Sequence, residues 1–170
     1  EGIMATLQLP ILNWAAAPDS SGGVFLEPYD VKATNDVWKH QVLVFNDTGT
    51  RIGIHGKFNV PQNYVGTAAI VVRWTSTATS GDFVADFDYR AVGGNDSESF
   101  DQTGNQESVT GTDAAPGAAN RRMEFSISLT SSNLAAGDEV QFEFFRDGSA
   151  ADTIAAAVMV FNIIFQYADA

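Results

Sequence analysis

The chain has 170 residues, a formal net charge of −12 and no cysteine. Its length suits one sizeable core rather than two, and its acidity disfavours nucleic acid and anionic membranes, which attract basic surfaces. The missing cysteines exclude disulfides, thiolate catalysis and cysteine-ligated zinc, so stability must come from packing or assembly.

Glu1-Gly2-Ile3 ahead of Met4 reads as an added remnant, with Met4 the natural start and residues 1–170 a single domain. The N-terminus lacks a basic start followed by an apolar core, and no apolar run approaches the ~20 residues that span a bilayer. Val, Ile, Thr, Phe, Tyr and Trp recur in short runs punctuated by Gly, Asn, Asp and Pro, with little helical periodicity. Strands are predicted at 5–12, 39–46, 51–59, 68–75, 82–92, 107–112, 123–129, 139–146 and 157–167. About nine strands with turn signals between them make an all-β protein, an antiparallel β-sandwich of two layers.

Between the first two strands, residues 15–36 carry Pro18, Gly22, Gly23 and Pro28 among Phe25, Leu26 and Tyr29. This segment is irregular but too aromatic for a free linker, and is expected to pack on the sandwich or on a neighbouring subunit. In 82–92, Phe83, Ala85, Phe87 and Tyr89 alternate with Asp82, Val84, Asp86, Asp88 and Arg90, which predicts one core face and one mostly solvated face. Residues 93–105 are rich in Gly, Asp, Asn and Ser and read as a long exposed loop, mobile or part of an interface. Met123, Phe125, Ile127 and Leu129 alternate with Glu124, Ser126 and Ser128 in the same period of two. At the C-terminus, 139–146 alternates, whereas 158–165 is almost continuously apolar and predicts a central strand or one covered on both faces.

The signals for catalysis are weak. His40 and His55 lie singly in predicted strands, and no Gly-x-Ser-x-Gly elbow, Walker loop or dinucleotide fingerprint occurs, so no catalytic residue and no cofactor is assigned. Asp82, Asp86 and Asp88, with Asp96, Glu98 and Asp101 after them, suit a solvated face and an acidic loop. Glycoside hydrolysis would need two of these carboxylates across a cleft, and calcium would need an Asp-x-Asp-x-Asp-Gly loop with a later Glu, which is absent, so no metal is assigned. Trp14 and Trp38 are candidates for a flat platform that stacks on sugars, while Trp74, in a strong strand, belongs in the core. Arg146, Asp147 and Asp152 form the strongest polar constellation, expected to be an arginine–carboxylate clamp between the last two strands, with Thr153 closing the turn through its hydroxyl.

Several segments in order, Val60-Pro-Gln-Asn-Tyr-Val-Gly-Thr67, the strand to Trp74, Thr79-Ser-Gly-Asp-Phe-Val84, Asp88-Tyr-Arg90, Leu134-Ala-Ala-Gly-Asp138, and Arg146-Asp147 with Asp152, together resemble bacteriophage virion- and tail-associated β-sandwich proteins. The resemblance covers most of the chain after about Phe45. It implies a jelly roll that works without catalysis as a virion structural protein (head decoration, neck, tail or fibre-associated), contacting other virion proteins and self-assembling, with a trimer preferred. It hands over no catalytic residue. The alternative is a carbohydrate- or host-receptor-binding module, motivated by Trp14, Trp38 and the 93–105 loop.

Overall fold

A computed structural model describes residues 4–9, 15–16, 28–32, 39–94, 98–149 and 151–170, of which 15–16, 28–32 and 39 are described as backbone only. Strands β1 (Met4–Leu9), β3 (Pro28–Lys32), β4 (Lys39–Phe45), β6 (Tyr64–Ser76), β9 (Met123–Leu129) and β11 (Val158–Asp169) form one sheet. The other holds β2 (Ala15–Ala16), β5 (Arg51–Asn59), β7 (Asp82–Val92), β8 (Glu107–Ala114) and β10 (Glu139–Asp147). The first runs β3-β4-β11-β6-β9, with β1 on β11, and the second β2-β5-β10-β7-β8; every pairing is antiparallel. From β4 to β11 the chain mostly alternates between sheets, the winding of a jelly roll. The protein is an all-β antiparallel β-sandwich of jelly-roll type.

Period-two alternation builds the core. Ile52, Ile54 and Phe58 of β5, Phe142 and Phe144 of β10, and Phe83, Phe87 and Tyr89 of β7 face Leu43, Phe45, Ile70, Val72, Trp74, Val160, Ile163 and Phe165 of the first sheet, all buried. Rings interlock across the gap: Phe45 meets Phe144 edge-on at 5.7 Å and Phe58 lies 4.9 Å from Phe165. Each such ring removed from water stabilises the fold by roughly 1.5–3 kcal/mol.

The edge where β8 of one sheet passes β9 of the other is closed by polar bridges at both ends. Glu107 accepts hydrogen bonds from the Thr130 hydroxyl (2.6 Å), the Thr130 amide (3.0 Å) and the Tyr89 hydroxyl (2.6 Å). At the other end the Trp74 indole donates to Asp113 at 2.9 Å, which satisfies the one polar atom of an otherwise apolar ring. Between them Gly111 lies so close to β9 that a Cβ there would stand 2.6 Å from Ile127 Cγ1.

Strands β10 and β11 lie in different sheets, so the connection between them crosses the sandwich. Two expectations change. The outward face of β7 is not solvated along its length: Val84, Asp86 and Asp88 are 3%, 8% and 4% exposed, while Asp82 is open to water and Arg90 half-buried. The 15–36 segment contributes strands β2 and β3, and its remainder lies outside the described residues.

Candidate functional site

Strand β11 carries an irregularity where it crosses the first sheet. Its register against β6 shifts between Val160, opposite Trp74, and Asn162, opposite Arg73, which leaves Phe161 as an extra residue. Val158 and Val160 before the bulge, and Ile163, Phe165 and Tyr167 after it, all face the core. Phe161 and Asn162 are therefore two successive side chains on the outer side, an arrangement regular pleating forbids and a bulge permits.

These two line a cavity of about 450 Å³ together with His40 and Gln41 of β4, Thr75 of β6, and Asn120 and Arg122 of the segment leading into β9. His40 meets the Phe161 ring edge-on, with centroids 5.7 Å apart and planes at 85°. The Thr75 hydroxyl donates to the Arg121 carbonyl at 2.7 Å and the Asn120 amide donates to the Ser76 carbonyl at 2.9 Å, so the β8–β9 connection is tied to the end of β6. Asn120 adopts a left-handed φ of 64° there, a conformation asparagine tolerates better than most residues. Arg122 Nη2 donates to Glu124 Oε2 at 2.8 Å, and Arg73 Nε donates to the same oxygen at 2.6 Å. The Arg73 hydrogen bond, with both arginines' charges, holds the Glu124 carboxyl below its ordinary range. Chemically the described lining offers the Phe161 ring, the His40 imidazole, three side-chain amides, one hydroxyl and one guanidinium. The combination suits a neutral-to-anionic polyol, and the one hydroxyl, that of Thr75, is engaged with the Arg121 carbonyl.

The acidic stretch has a different role. Arg51 Nε donates to Asp86 at 3.1 Å and Nη2 to Asp88 at 2.6 Å, with the guanidinium carbon 3.6 Å over the Phe145 ring. Thr110 donates to the second Asp86 oxygen at 2.7 Å. Burial is the largest influence on the Asp86 carboxyl and pushes it up, against the lowering effect of Thr110 and Arg51. The two aspartates thus share a cation on the outer side of the second sheet, and neither lines the cavity. Among the described residues no group of three or more His, Asp or Glu is placed to hold a metal ion.

The structure places Arg146, wholly buried, at the crossing from β10 to β11. Its Nη2 donates to Asp152 Oδ1 at 2.7 Å and its Nε to Oδ2 at 3.1 Å; its remaining donors reach the carbonyls of Ala156 (2.7 Å), Phe45 (3.2 Å) and Ile154. Asp147, expected beside it, is not part of this arrangement: it follows Arg146 in a strand, faces the other way, and accepts from the Ser149 hydroxyl at 2.6 Å. Thr153 does not close a local turn either; its hydroxyl accepts from the Asp82 amide of β7 at 2.8 Å. Trp14 and Trp38, the platform candidates, lie outside the described residues, while Trp74 is in the core. Of residues 93–105, those described are largely exposed, Phe100 at 63%, and Arg90 ties the loop back by donating to the Gly104 carbonyl at 3.0 and 2.9 Å.

Phe161, Asn162 and His40 as parts of one cavity escaped the sequence reading. The available signal was Asn162, a lone amide inside the apolar run of β11 where strict alternation fails.

No protein-family model and no curated protein sequence matches the chain. The fold is nevertheless shared with solved structures. A family 11 carbohydrate-binding module from Clostridium thermocellum, in complex with a β-1,3-1,4-mixed-linked tetrasaccharide, is similar with a TM-score of 0.52 at 14% identity, over 94% of both chains. The CBM22-1 xylan-binding domain from Paenibacillus barcinonensis Xyn10C has a TM-score of 0.50 at 12% identity, over 99% of this chain and 97% of that one. An arabinose-bound α-L-arabinofuranosidase is similar with a TM-score of 0.46 at 12% identity; 90% of this chain aligns, spanning 23% of that one. At such identities the likeness is one of fold. It agrees with the jelly-roll part of the resemblance read from the sequence, and nothing in these structures connects the chain to bacteriophage virions.

Proposed function

We propose that this chain is a carbohydrate-binding β-sandwich domain that takes a glycan at the His40–Phe161–Asn162 cavity and works by binding rather than catalysis. The observation that carries the reading is the β11 bulge, which turns a phenylalanine ring outward among amides from three other positions, Gln41, Asn120 and Asn162. An aromatic face beside amide donors and acceptors is what a sugar ring requires, with C–H groups on one side and hydroxyls around the rim. The volume, about 450 Å³, falls in the usual range for small-ligand sites. The fold-level likeness to a module in complex with a β-1,3-1,4-mixed-linked tetrasaccharide and to one named for xylan binding supports the reading by analogy.

The test is affinity electrophoresis of the full chain through gels containing neutral and acidic polysaccharides, beside Phe161→Ala. Retardation by at least one polysaccharide, lost in Phe161→Ala with the melting temperature unchanged, is expected. Mobility unaffected by every polysaccharide would overturn the proposal.

A further inference from the structure

We infer that the glycan held in this cavity carries negative charge, as a uronate carboxylate or a sulfate ester; the inference rests on the carbohydrate-binding reading and narrows it. Among the described residues that line the cavity, His40, Gln41, Thr75, Asn120, Arg122, Phe161 and Asn162, the one fixed charge is the Arg122 guanidinium and there is no carboxylate, in a chain with 21 Asp and Glu against 9 Lys and Arg.

The charge balance behind the lining points the same way. Arg73 and Arg122 converge on a single oxygen of Glu124, at 2.6 and 2.8 Å. Two guanidiniums on one carboxylate leave one positive charge over. Arg73 spends its Nε on that oxygen from its place in β6, whereas the Arg122 side chain is 59% exposed and borders the cavity. A guanidinium has five N–H donors in a planar fork, so Arg122 keeps donors for a second anion alongside Glu124. Carboxylate and sulfate oxygens fit that fork, and a charge-assisted bond is about twice as strong as one to a neutral hydroxyl. The carboxylates of the opposite sheet, Asp86 and Asp88, are already paired with Arg51 and lie on the far side of the core. At 0.15 M salt the screening length is about 8 Å, so the local arginine rather than the net charge decides what binds.

The experiment is calorimetric titration of the full chain at 0.15 M salt with matched oligosaccharide pairs. Uronate-containing oligomers are compared with their carboxyl-reduced counterparts, and sulfated oligomers with their desulfated counterparts, on wild type, Arg122→Gln and Phe161→Ala. At least one charged oligomer is expected to bind roughly tenfold more tightly than its neutral partner. That preference should fall toward parity in Arg122→Gln, while Phe161→Ala should lose both members of the pair; the arm that responds identifies carboxylate or sulfate. Equal binding within every pair overturns the inference and leaves the carbohydrate reading standing. A charge preference that survives Arg122→Gln overturns its assignment to this cavity, and no binding to any oligomer, charged or neutral, overturns both.

Discussion

Arg146 and Asp152 meet as a two-pronged ion pair at the point where the chain leaves one sheet for the other, with side chains 1% and 2% exposed. The pair reaches beyond itself. Asp152 also accepts from the Val84 amide of β7 at 3.1 Å, and Arg146 donates to the Phe45 carbonyl of β4, so one buried contact fastens strands of both sheets and the connection between them.

Removing only the arginine should therefore be severe. Arg146→Met retains apolar bulk but strands the Asp152 carboxylate and three backbone carbonyls, and breaking a buried pair in this way costs about 3–5 kcal/mol. The double variant Arg146→Met/Asp152→Leu, which removes both charges, should recover part of that loss. Urea unfolding of the three proteins checks it: a single variant within about 1 kcal/mol of wild type, the worth of one ordinary hydrogen bond, would show that the crossing does not depend on the pair.

The β8–β9 edge supplies a second test. At Gly111 an added Cβ would meet Ile127 Cγ1 at 2.6 Å and Phe125 Cε2 at 2.7 Å, and both neighbours are held in strand pairing with β6. Gly111→Ala should lower stability by about 1–3 kcal/mol, the usual range for overpacking. Gly117→Ala, where a Cβ meets nothing within 4 Å, is the control and should stay near wild type in thermal unfolding.

Acid stability depends on two carboxylates of opposite sign. Burial pushes the Glu107 carboxyl up, but hydrogen bonds from Thr130 and Tyr89 outweigh it and hold the group below its ordinary value of 4.5. Its contribution is thus present above 4.5 and is lost as pH falls through the lower folded value. Asp86 is raised above its ordinary 3.8, so it favours the fold most below that value and less as pH rises through its folded one. Glu107→Gln should therefore flatten the decline in melting temperature on acidification, and Asp86→Asn should steepen it. The same slope in all three proteins would remove both groups from the account.

The alternation of β7 and β9 was legible because a sheet with one face on a core imposes a period of two on the sequence itself. What the outward residues of β7 do was not. Asp86 and Asp88 read as solvated because charge in isolation belongs in water, yet Arg51, 35 positions earlier than Asp86, reaches over β10 and pairs with both. The same limit applies to Asp147 and Asp152. Both lie close to Arg146 in sequence, but the pleat turns Asp147 away and the crossing brings Asp152 back. Phe161 was harder still, since within an apolar run only Asn162 hints that two successive side chains leave the core.

That bulge gives the sharpest prediction about the site. Deleting Phe161 would restore strict alternation to β11: Val158 and Val160 inward, Asn162 outward, then Ile163, Phe165 and Tyr167 inward, all on the faces they already occupy. The deletion should leave the chain folded, with a melting temperature close to wild type, while removing the aromatic wall of the cavity and with it glycan binding. Deleting Ile164, three positions on, has the opposite logic. It would turn Phe165 and Tyr167, now 0% and 6% exposed, to the outer face and carry the β1 pairing with them, because a one-residue slip reverses every side chain beyond it. Circular dichroism melts beside affinity electrophoresis distinguish the two. A folded, non-binding Phe161 deletion and an unfolded Ile164 deletion are expected, and an unfolded Phe161 deletion would mean that the bulge serves the sheet rather than the cavity.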